Sequence, residues 1–536
     1  MRLLALALML LPISIVRAET YTVGPSGGVR QLADLPALQA GDVVELERGA
    51  TYTPGRFFDS GAAGSPIVIR AAAGAGARPI VEGGSNAIEL GADHLVLEGL
   101  EIRDGSARCV FVHGHDLVLR DLVIHGCPNH GIEGGGSGGG DLTLDHVEIY
   151  DSGEGTQHHQ VYVSSDEVMH PGSRFRMQYC YIHDGNGGNN VKSRHERNEI
   201  YFNWIEGAFY HELELIGPDP DDAGVAEDEA IENSDVAGNV LVKGGGHGDF
   251  WVVRFGGDGT GQTFGRYRFV NSTVILAGTS AGVFRLFDGI DTLEAHNNVF
   301  FRNGAGSGRM VRDVETEWLS TRLIAGANNW VSSGIGDVPS EWTGTITGGD
   351  PGFEDLAGHD LRPATGSELI DMGTGTTSGP AGHPFPSPLA LPTHHPPART
   401  RLALGEEMPR PAVGTIDLGA YEFGSGPPIR NDGGALPMDA GTCVPDCTGR
   451  VCGDDGCGGS CGDCGARETC NAGACECAAT DCGGACVDTS SDPDHCGSCN
   501  NVCEVDQVCQ GGGCTSECTG GLTACNRACV DTRTDE

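Results

Sequence analysis

Six short segments in the middle of the chain read as strands carrying residues able to do proton chemistry: Gly131-Ile-Glu133, Gln160-Val-Tyr162, Asn190-Val-Lys192, Glu212-Leu-Glu214, Val252-Val-Arg254 and Phe284-Arg285. Stacked as parallel neighbours with Ile132, Val161, Val191, Leu213 and Val253 inward, they turn Glu133, Tyr162, Lys192, Glu214, Arg254 and Arg285 outward in one row, spaced about 5 Å apart. A second outward row is then expected to hold Gln160, Asn190 and Glu212, with Arg194 flanking Lys192. Tyr162, Lys192, Glu214 and Arg254 together offer an acid, a base and cations within reach of one bound sugar chain. The plainer alternative is a solvated ladder of cross-strand pairs, each worth about 0.2–1 kcal/mol.

Other chemistries compete for the same stretch. Glycoside hydrolysis needs two carboxylates roughly 5–9.5 Å apart, and Glu133, Glu212 and Glu214 are the candidates for such a pair. His125, His130, His158, His159, His183, His195 and His211 supply imidazoles, but their spacing matches no established ligand pattern, so no metal site is assigned. The insertion from Asp219 to Glu229 is oxygen-rich enough for Ca²⁺, the one cofactor the sequence admits. It lacks the spaced ligands and glycine of an EF-hand loop and reads better as a solvated loop.

The elements that must position these residues come from a repeat. Leu95-Val-Leu-Glu-Gly-Leu-Glu-Ile102 returns as Leu117–Ile124 and Leu142–Ile149, with more divergent copies starting at Phe175, Asn198, Ser234, Tyr267 and Leu293. Glycine-rich turns separate the copies, and no helical pattern intervenes to supply crossovers. A single coil cannot bury its own apolar face, so the economical fold is all-β: a right-handed parallel β-helix whose coils stack. Down that stack the sixth position of the unit passes from Leu100, Leu122 and Val147 through Cys180 to Asn203, Asn239, Ser272 and Asn298, an aliphatic ladder becoming a polar one. Asn at a bend can satisfy backbone groups of adjacent coils. Cys180 falls inside this stack and reads as a buried small residue, while Cys109 and Cys127 can pair if their Cα atoms lie within about 7 Å.

These residues resemble the pectate-lyase-like superfamily of extracellular β-helix proteins. Gly41–Tyr52, Ser65–Arg70 and Arg78–Gly83 look like its opening coils, and Asp350–Phe353, Gly366–Asp371 and Ile416–Glu422 like its closing segment. Asn190-Val-Lys-Ser-Arg194, followed by Asn198–Asn203 and Leu213–Gly217, resembles the Lys-Ser core of the polysaccharide lyase family that includes chondroitinase B and alginate lyases. The resemblance implies β-elimination on a uronic-acid-containing glycan, with Lys192 as the base at carbon 5. The family's arginine does not carry over, since Glu214 and Ile216 occupy that strand, leaving Arg254 as a substitute. Its acidic calcium ligands are replaced by Gly185-Asn-Gly-Gly-Asn-Asn190. The site expected is therefore Lys192 as base, Tyr162 as acid, Arg254 and Arg194 on carboxylates, and Asn190, Glu214, Glu133, His159 and Arg285 as sugar-binding neighbours.

Length, charge and cysteine set the frame. The apolar run Leu3–Val16 before Val16-Arg-Ala18 reads as an export signal cleaved after Ala18, too short to span a bilayer. A net charge of −41, from 33 basic and 74 acidic residues, argues against a nucleic-acid partner and makes any polyuronate site a local basic island. Of 22 cysteines only Cys109, Cys127 and Cys180 precede position 443. The expected domains are thus a signal peptide 1–18, the β-helix 19–423, a Gly/Pro/Asp-rich linker 424–442 and cysteine-rich repeats over 443–536. Cys482–Thr489 returns as Cys525–Thr532, and disulfides outweigh zinc for its C-x-x-C pairs in an exported chain. Such repeats resemble surface-protein modules of predatory soil bacteria and imply cell-surface attachment. The last copy stops before its final cysteines, which suggests a fragment of a longer array. The functional expectation is a secreted or surface polysaccharide lyase, with a non-catalytic glycan-binding protein and a glycoside hydrolase as alternatives.

Overall fold

The computed structural model of the chain is a parallel β-helix. Described are residues 18–425 apart from 218–230, 245–250, 258–262, 314–317, 319–320, 383–390 and positions 279, 288, 378, 381 and 412, together with parts of 468–530. The chain divides into two compact units, Met1–Asp432 and Gly433–Glu536. Among the described residues no helix is long and apolar enough to cross a membrane.

Three parallel sheets of 12, 11 and 12 strands make the first unit, most coils giving one strand to each. Sheet 1 contains Leu95–Glu98, Leu117–Arg120 and Leu142–Asp145; sheet 2 contains Glu101–Arg103, Val123–His125 and Glu148–Tyr150. Sheet 3 contains His130–Gly134, Val161–Ser164, Val191–Arg194, Leu213–Ile216, Trp251–Gly256 and Gly282–Leu286. Each repeated octapeptide is therefore two strands joined by a bend. The bend falls on the fifth position, whose backbone is left-handed at Gly99, Asp121, His146, Tyr179 and Phe202.

Residue six tucks into the corner that this bend creates, which explains its ladder. The N–H of Cys180 donates to Asn203 Oδ1 (2.9 Å), that of Asn203 to Asn239 Oδ1 (2.9 Å), and that of Ser272 to Asn298 Oδ1 (2.8 Å). The amide nitrogens of Asn203 and Asn239 return hydrogen bonds to the carbonyls of Met177 and Ile200. All of these side chains are buried, so the polar stack is tolerated because its groups are paired. Asn329 extends the ladder one coil further, accepting from Asn298 N–H at 3.0 Å.

The closing segment packs Leu361, Leu369, Leu418, Ala420 and Tyr421 on the outer face of sheet 2, against Trp204, Val240, Val299 and Trp330. Cys109 and Cys127 form a disulfide with Cα atoms 5.5 Å apart, and burial pushes the Cys180 thiol up. In the second unit Cys482 pairs with Cys499, Cys496 with Cys509 and Cys503 with Cys514. Cys496 and Cys499 thus belong to different disulfides, which removes that C-x-x-C pair from zinc chemistry. Disulfides in both units fit an oxidising compartment. The export signal up to Arg17, the insertion Asp219–Glu229, most of the linker, the first cysteine module and the last six residues lie outside the described residues.

Candidate functional site

Sheet 3 brings the expected row together. Its register pairs Glu133 with Tyr162, Tyr162 with Lys192, Lys192 with Glu214, Glu214 with Arg254 and Arg254 with Arg285. The inward residues Ile132, Val161, Val191, Leu213 and Val253 are fully buried, and burying this aliphatic set holds the register, since a one-residue slip would expose it.

Glu214 is the electrostatic centre. Its Oε1 lies 3.4 Å from Lys192 Nζ and 3.2 Å from Arg254 Nη1, and its Oε2 accepts from Asn189 Nδ2 at 2.9 Å. Burial opposes its ionisation, but Arg254 and Lys192 win and hold the carboxyl at about 2. Lys192 Nζ also sits 5.0 Å from the centre of the Tyr162 ring. Arg194 Nε donates to Tyr162 Oη at 3.2 Å, and its Nη1 donates to the Gly217 carbonyl at 2.6 Å.

A second file runs beside this row, three residues earlier along each coil: His130, His159, Asn189 and His211. His130 and His159 lie 5.8 and 5.4 Å from the Tyr162 ring. His159 is nearly fully buried, and burial together with the Lys192 charge holds it down at about 3, so it is neutral near pH 7. Its Nδ1 accepts from the Asn189 N–H at 2.8 Å, which puts the ring proton on Nε2. This contact requires Gly188, where a Cβ would lie 2.2 Å from that nitrogen. His211 has the opposite tautomer. Its Nδ1 must donate to the Trp251 carbonyl at 2.8 Å, leaving on Nε2 a buried lone pair with no hydrogen-bond partner among the described residues. Burial keeps that ring neutral, at about 4.

The expected second outward row points inward instead. Gln160, Asn190 and Glu212 are fully buried. Gln160 Nε2 donates to Asn190 Oδ1 (2.9 Å), Asn190 Nδ2 to Glu212 Oε2 (2.7 Å), and Lys243 Nζ stands 3.4 Å from Glu212 Oε1. The chain bends where it enters sheet 3, so strand alternation does not extend back to these positions. Asn190 is consequently a structural residue and not a sugar contact. Glu133 is held by Arg108, with His130 Nε2 3.6 Å away, and Arg285 donates to Tyr210 Oη at 2.9 Å. Glu133 and Glu214 stand three strands apart, about 14 Å at normal strand spacing. With Glu212 inside, the hydrolase alternative loses its exposed carboxylate pair on this face.

Of the seven histidines of the metal alternative, His130 packs against both His158 and His159 with ring centres 5.6 Å apart, whereas His125, His183 and His195 lie elsewhere. His125 and His183 sandwich Tyr150 on sheet 2, with ring centres 4.7 and 5.1 Å away, while buried His195 faces the Gly140 carbonyl. Nor does the segment before Lys192 suit the calcium ion that the lyase resemblance implies, because Asn189 holds Glu214 and Asn190 holds Glu212. Sequence reasoning treated His211 only as a metal candidate and passed over Asn189. The signal that would have found them is the three-residue offset shared by His130/Glu133, His159/Tyr162, Asn189/Lys192 and His211/Glu214.

No family model and no curated protein matches the chain. Among solved structures it is similar to the pectate lyase Pel9A, at 16% identity and a TM-score of 0.42, over 76% of this chain and 97% of that one. It is also similar to a PL6 family polysaccharide lyase from Pseudopedobacter saltans, at 16% identity and a TM-score of 0.31, covering 58% of this chain and 88% of that one. For a rhamnogalacturonan lyase the values are 14% and 0.32, over 64% and 90% of the two chains.

Proposed function

We propose that sheet 3 binds a uronic-acid-containing polysaccharide across its coils and cleaves it by β-elimination. The observation that carries this reading is the register row placing Tyr162, Lys192 and Arg254 on one face, with Arg194 on the phenol. Lys192, in its neutral form, removes the proton at carbon 5. Arg254 and Arg194 offset the uronate carboxylate so that the electron pair can delocalise onto it, the bond from carbon 4 to the glycosidic oxygen breaks, and Tyr162 protonates that oxygen. His159, with its Nε2–H, serves as a donor to a sugar hydroxyl, Asn189 holds Glu214 in place, and Glu133 and Arg285 flank the subsites. The protein is read as exported, and its cysteine-rich unit as an attachment module.

A non-catalytic glycan-binding role stays as the second reading because Glu214 already balances both Lys192 and Arg254, an arrangement that binds without moving a proton. Lys192→Ala separates the two. Loss of the ultraviolet-absorbing unsaturated product with polyuronate binding retained supports the lyase. Binding by the wild type with no product at any pH supports the second reading.

A further inference from the structure

We propose that the outer face of sheet 1 carries a separate glycan-binding site, built for a neutral sugar unit. A cavity of about 460 Å³ lies between the strands Arg174–Gln178, Arg197–Tyr201 and Asn233–Ala237 and the segment Leu391–His394 of the closing region. That volume falls within the range of small-ligand sites.

One wall is aromatic, and its position is unusual. Tyr179 and Phe202 stack at 5.5 Å between ring centres, and His394 meets them at 5.6 and 5.7 Å. Both occupy the left-handed bend, with φ of 54°. Bulky side chains rarely adopt that conformation, whereas Gly99, Asp121, Gly238, Asn271 and Asn297 hold the same bend in other coils with residues suited to it. With His146, whose ring centre lies 4.9 Å from that of Tyr179, three consecutive coils carry rings at this bend, and Tyr179 and Phe202 are the two whose residue types are least suited to it. Backbone strain of this kind concentrates at ligand sites. The platform ends at Gly238, where a Cβ would lie 2.8 Å from the Phe202 ring and 3.0 Å from Pro392.

The opposite wall is polar, and its charged groups are paired. Arg176 Nη2 lies 2.5 Å from Glu199 Oε2, Arg197 Nε lies 3.3 Å from Glu199 Oε1, and Tyr201 Oη donates to Asp235 Oδ2 at 2.9 Å. Arg268 Nη1 also lies 2.7 Å from Asp235 Oδ1, so Glu199 and Asp235 are held by three guanidinium groups. Carboxylates keep spare acceptor positions after one or two hydrogen bonds, and a guanidinium keeps spare donors. Aromatic faces opposite an alternation of planar donors and acceptors match a pyranose, which presents C–H groups on one side and hydroxyls at its rim. Arg176, Arg197 and Arg268 are each already paired with Glu199 or Asp235, so this wall sets no cation aside for a uronate. The ligand class is therefore a neutral hexose or pentose polymer.

The test uses the full chain in native affinity gels containing cellulose, xylan, mannan, galactan or starch derivatives, with polygalacturonate as the acidic control. Phe202→Asn removes the ring and installs the residue that this bend accepts at Asn271 and Asn297. Arg176→Ala removes a polar partner without touching the platform. We expect at least one neutral glycan to retard the wild type, and each variant to weaken that binding about tenfold or more, with an unchanged unfolding midpoint. No retardation by any neutral glycan, or undiminished binding by folded Phe202→Asn, overturns the proposal and leaves the rings as packing alone. Retardation by polygalacturonate that Phe202→Asn abolishes overturns the neutral assignment.

Discussion

Replacing Glu214 by Gln should destabilise the β-helix at neutral pH and hardly at all in strong acid. The side chain is 2% exposed and its carboxyl is moved from an ordinary 4.5 to about 2. That difference corresponds to about 3 kcal/mol favouring the folded anion, at about 1.4 kcal/mol for each tenfold change in protonation. A carboxyl depressed in the folded state stabilises the fold above its unfolded value of 4.5, and the contribution fades as pH falls through about 2. Gln can keep the Asn189 contact but offers Lys192 and Arg254 no charge, so a loss of about 2–3 kcal/mol is expected at pH 7, close to the cost of breaking a buried pair. All five tryptophans precede position 343, so fluorescence-monitored denaturation reports on the β-helix rather than on the cysteine-rich unit. Paired curves at pH 7 and pH 2.5 should show the gap shrinking to well under half. An equal gap at both pH values, or none at pH 7, refutes the electrostatic account of this site.

Other perturbations test the frame. Asn239→Ala should cost about 2–4 kcal/mol in a denaturation curve, because it strands the Asn203 N–H and the Ile200 carbonyl inside the corner ladder. Joint Cys109→Ser and Cys127→Ser should lower stability by about 3 kcal/mol, the scale for a loop of this length, with glycan binding unchanged on native gels. His159 and His211, held at about 3 and 4, are neutral in the fold and protonate when it opens, so stability should begin to fall below about pH 6.5 and keep falling towards pH 4. His159→Gln should flatten that slope measurably in a pH series of unfolding midpoints.

Much of the sheet 3 row was legible in the sequence, because Ile132, Val161, Val191, Leu213 and Val253 leave one register that buries them all. The corner ladder was legible for the same reason: Asn203, Asn239 and Asn298 recur at one position of the unit, and the structure adds Asn329. Gln160, Asn190 and Glu212 were misplaced because alternation was extended across a bend that no single residue type announces. The neutralising role of Glu214 was hidden as well, since adjacency in a row does not say which of two cations a carboxylate will hold, and it holds both. The sheet 1 cavity lay beyond local patterns altogether. It joins Tyr179 and Phe202 to His394, about 200 residues further along the chain.

The central claim is that the Tyr162–Lys192–Glu214–Arg254 face eliminates across a uronic acid. Mass spectrometry of the oligosaccharides released from a panel of polyuronates tests it most directly. β-Elimination leaves each new non-reducing end unsaturated and lighter by one water than the hydrolytic product, and this product should vanish in Lys192→Ala. Saturated fragments, or unsaturated fragments still formed by folded Lys192→Ala, would contradict the assignment.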